Sequence, residues 1–215
     1  MNPDAPAWPD LRICFLGDSY TQGVGDREGR GWVGRLAEKA WDRGRPVTGY
    51  GLGVRRQTSS DILGRWSAEA APRLAEGEAH GVVVAFGLND TAHVDGRPRV
   101  PQDETVRNLE TLLAEAAGRG WPVLVIGIPP MPAPRRPDGT AYATALEAAF
   151  AKTCAAHGVP FVPVYDRLVD RPEWWASIEA FGDGAHPDEA GYRMLADIVA
   201  DGGWWPWLDA VAARA

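Results

Sequence analysis

A serine hydroxyl becomes a useful nucleophile only when a base takes its proton and an acid orients that base. Ser19 stands in Gly17-Asp18-Ser19-Tyr20-Thr21-Gln22-Gly23, directly after the apolar run Leu11–Leu16. A serine at the mouth of a buried strand, among small and turn-forming residues, lies where open α/β sheets bind ligands. The same place also suits a serine that only caps the next helix. The base and acid with matching chemistry are His186 and Asp183, in Asp183-Gly184-Ala185-His186-Pro187. Three residues apart in a glycine-containing turn, the carboxylate can accept from one ring nitrogen while the other faces the serine. An Asp-x-x-His can equally be a plain helix start. A second such pair, Asp90 and His93, competes in Asp90-Thr91-Ala92-His93. Asp183 and His186 are preferred because Pro187 pins His186 at a helix start, whereas His93 runs into the polar stretch Val94–Arg99. His80 and His157 precede strands, at the opposite edge of a parallel sheet, and read as solvated helix-end residues.

Acyl transfer also needs donors aimed at the developing oxyanion. Asn89 offers a side-chain amide, Gly53 a backbone N–H with no Cβ in the way, and Ser19 its own N–H. Taken singly, Gly53 also reads as a turn glycine and Asn89 as a turn or cap residue.

These residues need a scaffold that brings distant loops to one edge. Leu11–Leu16, Val47–Leu52, Gly81–Phe86, Pro122–Ile128 and Val159–Val164 read as five strands, the last at a sheet edge because Pro163 interrupts it. Between them run apolar stripes of helical period: Trp32, Leu36 and Ala40; Ile62, Trp66 and Ala70; Val106, Leu109, Leu113 and Ala116; Leu146, Phe150 and Cys154. Thr58-Ser59-Ser60-Asp61 reads as one helix start, and Pro187-Asp188-Glu189 as the first turn of the last clear helix, with Met194, Leu195, Ile198 and Val199 on its buried face. Strands alternating with helices predict a parallel sheet covered on both faces. Residues 1–10 read as a surface arm, 129–139 as a long proline-rich loop at the carboxyl edge, and Trp174 and Trp175 as loop residues. The aromatic tail from Gly202 to Ala215 is expected to pack back on the body, and the whole chain, 1–215, to be one domain.

The net charge of −7 and pI of about 5.1 argue against nucleic acid or an acidic membrane as partner. No apolar run is long enough for a membrane span, so no stable membrane anchor is expected. The start, MNPDAPAWPD, has neither a cationic nor an apolar leader segment, which points to the cytoplasm. Cys14 and Cys154 lie in apolar surroundings without CxxC spacing and read as buried thiols.

Together these blocks resemble the SGNH (GDSL-type) hydrolases, a superfamily of esterases, lipases, thioesterases and carbohydrate deacetylases. The resemblance runs from Leu11 to about Val199 through Gly17-Asp18-Ser19-Tyr20, Gly51-Leu52-Gly53-Val54, Gly87-Leu88-Asn89-Asp90 and Asp183-Gly184-Ala185-His186-Pro187. It implies a flavodoxin-like, three-layer α/β/α sandwich on a five-stranded parallel sheet. It makes Ser19 the nucleophile, His186 the base and Asp183 its orienter. The oxyanion hole would comprise Ser19, Gly53 and Asn89, with no cofactor and no metal. Three departures stand out: Tyr20 replaces the leucine of the family name, Gly51 an asparagine, and Arg56 a glycine. Arg55 and Arg56 could narrow the acyl pocket or contact an anionic leaving group, or form a solvated pair. Trp174 and Trp175 could wall the site or fill core. The expected activity is hydrolysis of small-molecule, short-chain carboxylic esters. A carbohydrate O-deacetylase, lysophospholipase or thioesterase is the alternative, and a non-catalytic flavodoxin-like module that cradles a phosphate at Gly17–Gly25 comes from another class.

Overall fold

The computed structural model describes residues 8–132 and 139–215. Its sheet has the order β2-β1-β3-β6-β7, all parallel. The strands are β1 (Leu11–Gly17), β2 (Thr48–Gly53), β3 (Ala79–Ala85), β6 (Val123–Ile126) and β7 (Phe161–Val162). Two short strands, β4 (His93–Val94) and β5 (Arg97–Pro98), form a separate antiparallel hairpin. Because β1 starts the chain yet lies inside the sheet, the order reverses beside it, and the loops after β1 and β3 open into one crevice. The flavodoxin-like expectation therefore holds. The edge position expected for the fifth strand also holds, although β7 keeps only two residues.

The helices follow the apolar stripes. In α2 (Gly31–Asp42) Trp32, Leu36 and Ala40 are buried, and in α3 (Ser59–Leu74) Ile62, Trp66, Ala70 and Leu74. Leu109, Leu113 and Ala116 line the buried face of α4 (Gln102–Gly118), and Leu146, Phe150 and Cys154 that of α5 (Gly139–Ala156). In α8 (Glu189–Val199) Leu195, Ile198 and Val199 are buried, while Met194 is only partly covered. Helix α3 packs on α4 and α4 on α5, covering one face. Helix α2 packs on α8, which continues into a π-helical turn (Ala200–Trp204) and α9 (Trp205–Ala212) over the other. Thr58 and Asp61 form a reciprocal capping box, as their spacing predicts.

Several local expectations are corrected. Trp174 and Trp175 are not in a loop but in α7 (Pro172–Phe181), which starts on Pro172 and ends at Gly182 in the left-handed conformation. Pro187 precedes the N-cap of α8 rather than lying in its first turn; Asp188 is the cap, accepting from the N–H groups of Ala190 and Gly191. His80 lies inside β3 rather than before it. The arm expected over residues 1–10 falls largely outside the described residues, but its end is tied down. The Trp8 indole donates to Pro46 O (2.9 Å) and the Asp10 N–H to Glu78 (2.7 Å). Of the loop expected over 129–139, residues 133–138 lie outside the described residues. In the aromatic tail Trp204, Leu208 and Val211 are fully buried. Both thiols are buried, which pushes Cys14 and Cys154 up to about 12.

Candidate active site

The carboxyl end of β1 turns sharply into the one-turn helix α1 (Ser19–Gln22). The turn is possible because residue 17 has no side chain: a Cβ there would stand 2.0 Å from Thr21 Oγ1 and 2.6 Å from Ala85 O. Asp18 caps α1 by accepting from the Tyr20 N–H (2.9 Å), and Gly23 closes it in the left-handed conformation. Ser19 is left 6% exposed. Arg65 of α3 reaches under the turn and donates to Gly17 O (3.0 Å) and Leu52 O (2.9 Å), clamping the ends of β1 and β2.

The last block meets this turn. His186 Nε2 lies 2.7 Å from Ser19 Oγ, and His186 Nδ1 lies 2.6 Å from Asp183 Oδ2. A carboxylate can only accept, so the Nδ1 proton goes to Asp183 and Nε2 accepts from the serine hydroxyl. The other Asp183 oxygen accepts from the N–H groups of Ala185 (2.8 Å) and His186 (2.9 Å), so the acid is fixed from both sides. Burial pushes the Asp183 carboxyl up. The backbone and ring N–H of His186 and the Ala185 N–H outweigh that and hold it below the usual carboxylate range.

Four contacts tie the first and last parts of the site together. Tyr20 Oη donates to Ala185 O (2.5 Å), and Tyr192 Oη to Val24 O (2.7 Å). The Tyr20 ring also packs on His186, with centroids 5.5 Å apart. Gly25 makes the fourth, facing Pro187 O so closely that a Cβ would come within 2.4 Å.

The competing pair does not form. Asp90 is fully buried and turned away into the protein, where Ser59 donates to it through its N–H (2.9 Å) and hydroxyl, and Thr105 through its hydroxyl (2.9 Å). Burial nevertheless raises the Asp90 carboxyl. His93 is half-buried in the β4–β5 hairpin.

The expected oxyanion donors are arranged less simply. The Asn89 amide nitrogen donates to Asp18 Oδ2 and to Gln57 O, both at 3.0 Å. Both neighbours are acceptors, which fixes the orientation of the amide. Gly53 pairs with Gly17 and is half-buried beside the Ser19 turn. A Cβ on it would stand 2.2 Å from Gln22 N and 2.6 Å from Asp18 O. The ladder to β1 continues through the Val54 N–H (3.1 Å to Gly17 O), so strand alternation turns the Gly53 N–H to the other side.

A cavity of about 290 Å3 opens over the serine, lined by Ser19, Leu88, Asn89, Met131 and His186 with Arg55 and Arg56. Arg55 and Arg56 are therefore at the site, and Arg56 holds φ of 66°, a left-handed conformation unusual for a non-glycine residue. Trp174 and Trp175 are not among the lining residues. Trp174 is core, donating to Pro130 O (3.0 Å), and Trp175 donates to Val169 O (2.8 Å). A larger apolar groove of about 640 Å3 lies at the opposite edge of the sheet, among Trp121, Pro122, Pro160 and Trp207, away from the serine. Among the described residues no cluster of three or more His, Cys, Asp or Glu side chains could hold a metal, and no helix is long and apolar enough to cross a membrane.

Arg65, Asp18 and Tyr20 were not singled out from sequence as parts of the site. Tyr20 carried a signal, since it departs from the GDSL pattern. The other two did not, because what they touch is set only by folding.

A serine–histidine–aspartate relay at a strand-to-helix turn of a doubly wound sheet defines a class of serine hydrolases. The model of the GDSL-like lipase/acylhydrolase family matches residues 15–194, and the chain belongs to that family of carboxylic ester hydrolases. Solved structures share the fold. The lipase/acylhydrolase from Enterococcus faecalis superposes with a TM-score of 0.73 at 23% identity, over 95% of this chain and 96% of that one. The esterase EstA from Pseudoalteromonas sp., solved with monoethylphosphonate as inhibitor, gives 0.70 at 19% over 93% and 100%. The acetyl xylan esterase AlAXEase gives 0.68 at 17% over 88% and 98%. No curated protein matches the sequence.

Proposed function

We propose that this chain cleaves small, short-chain carboxylic esters through an acyl-enzyme on Ser19. The observation that carries the reading is the unbroken relay from Asp183 to His186 Nδ1 (2.6 Å) and from Nε2 to Ser19 Oγ (2.7 Å). As Oγ attacks the ester carbonyl, its proton passes to Nε2, and Asp183 stabilises the imidazolium. The carbonyl oxygen gains the negative charge and is met by the Ser19 N–H and by the Asn89 amide, which must turn from Gln57 O or Asp18 to reach it, while the Gly53 N–H, turned away from β1, takes no part. The tetrahedral intermediate collapses, the alkoxide leaves with the Nε2 proton as an alcohol, and the acyl group stays on Oγ. Water then gives a proton to Nε2 and attacks the acyl carbon; the acyl–Oγ bond breaks, Oγ takes the proton back from Nε2, and the acid is released.

The cavity size supports a small substrate. A sugar ester is the second choice, and the position of Trp174 in the core removes one stacking platform that a sugar ring would use. The test is a panel of p-nitrophenyl esters of graded acyl length, with acetylated sugars. The expected result is highest kcat/KM at two to four acyl carbons (~2–4, matched to a cavity that holds a small ligand), abolished in Ser19→Ala. Full activity in Ser19→Ala would overturn the reading.

A further inference from the structure

The turn after β2 places two arginines at the catalytic cavity. Arg55 and Arg56 line it together with Ser19 and His186, and both are exposed. Neither side chain makes an ion pair or hydrogen bond among the described residues. Their neighbours are committed elsewhere. Arg65 is spent on Gly17 O, Leu52 O and Glu69, and Arg99 donates to Arg56 O (2.7 Å), holding the turn in place. Among the described lining residues the one carboxylate is Asp183, already engaged by the His186 ring and two backbone N–H groups. Among the described residues the cavity mouth therefore carries two positive charges with no ion-pair partner, on a chain whose net charge is −7.

The backbone adds a second observation. Arg56 sits at φ 66°, where glycine would be unstrained. An arginine held there keeps a side chain where the local conformation argues against one, and strained positions of this kind gather at ligand clamps. A guanidinium presents a planar fork of N–H donors that matches a carboxylate two bonds at a time.

We propose that Arg55 and Arg56 recognise a carboxylate on the substrate, so that the preferred class is a small ester bearing a carboxylate within a few bonds of the scissile carbonyl. This rests on the ester-hydrolase reading above. It adds that selectivity comes from charge at the cavity mouth, with Leu88 and Met131 supplying the apolar wall.

Matched ester pairs differing only in charge test it. 4-Acetoxybenzoate against 4-acetoxybenzamide puts the charge on the alcohol side. Mono-4-nitrophenyl glutarate against 4-nitrophenyl pentanoate puts it on the acyl side. The readout is the anionic-to-neutral ratio of kcat/KM, each corrected for the ester's spontaneous hydrolysis. In at least one pair the wild type should show a ratio of about 10 at low salt, the size expected for one charge-assisted contact. The ratio should fall toward about 1 in Arg55→Gln/Arg56→Gln, persist largely in Arg55→Lys/Arg56→Lys, and shrink at about 0.5 M NaCl. Arg56→Gly, which suits the turn, should lower it without straining the backbone. A wild type that cleaves the neutral esters with ratios near 1, or a ratio untouched by the glutamine variants, overturns this proposal alone. A folded wild type that cleaves none of the four overturns the ester-hydrolase reading and this proposal with it.

Discussion

The hydroxyl of Tyr20 donates a 2.5 Å hydrogen bond to the carbonyl of Ala185. One residue follows Ser19 and the other precedes His186, so a single bond couples two loops more than 160 positions apart in the chain. The Tyr20 ring then packs against the imidazole, so the same side chain sets both the position and the tilt of His186. The departure from leucine at this position thus adds a polar tie that a leucine cannot make.

Tyr20→Phe keeps the ring and removes the tie. The expected loss in stability is about 1 kcal/mol, typical of one hydrogen bond, read as a lowered midpoint in urea. Steady-state kinetics should show kcat falling several-fold while KM moves little, because the relay is loosened rather than the cavity. An unchanged kcat would show that His186 is held without this bond.

Gly53→Ala tests whether that glycine is there for close approach. The added methyl would press on Gln22 N and Asp18 O, at 2.2 and 2.6 Å, in the backbone of the Ser19 turn. Strand and turn must separate, which should cost roughly 1–3 kcal/mol and displace Ser19. Thermal unfolding and esterase assay should both register the change. A variant of normal stability and activity would mean that the turn has slack.

Asn89→Ala removes a donor that rests on Asp18 and Gln57 in this structure. If the amide swings to the oxyanion, kcat should fall by roughly 10²–10³ with a small change in KM. A loss confined to stability would mean that the side chain only braces the loop.

Acid should weaken the fold in a defined window. Burial pushes the Asp26 carboxyl up, but the Arg35 guanidinium (2.5 Å) and the N–H groups of Gly31 and Glu28 outweigh it and hold it at about 2. A carboxylate depressed in the folded state stabilises above its unfolded value, near 4, and that stability is lost as pH falls toward about 2. The contribution is about 2 kcal/mol, and Asp183 shifts in the same direction. Buried Asp90 and Glu147 are raised instead, so their contribution has the opposite sign and declines as pH rises. Urea midpoints measured from about pH 5 down to pH 2 should fall steeply in the wild type and less steeply in Asp26→Asn. Parallel slopes would contradict the assignment.

Much of the fold was legible because burial imposes periodicity. Trp32, Leu36 and Ala40, and Ile62, Trp66 and Ala70, point inward from α2 and α3 as their spacing requires. Ser19, Asp183 and His186 were legible for another reason: the chemistry accepts few residue types, and two of the three lie within one short turn. Helix α7 was missed although Pro172 and Gly182 bracket it, because the adjacent tryptophans suggested an exposed wall instead of a buried face. The clamp by Arg65 and the tie by Tyr20 could not be read at all. Their partners are backbone carbonyls of distant segments, and a carbonyl leaves no mark in the sequence.

The most direct measurement is covalent labelling with a fluorophosphonate, followed by peptide mapping in the mass spectrometer. An activated Ser19 should take up one adduct per chain, mapped to the Gly17–Gly23 segment, and labelling should collapse in folded His186→Ala. No adduct, an adduct on another residue, or equal labelling rates with and without the imidazole would contradict the account.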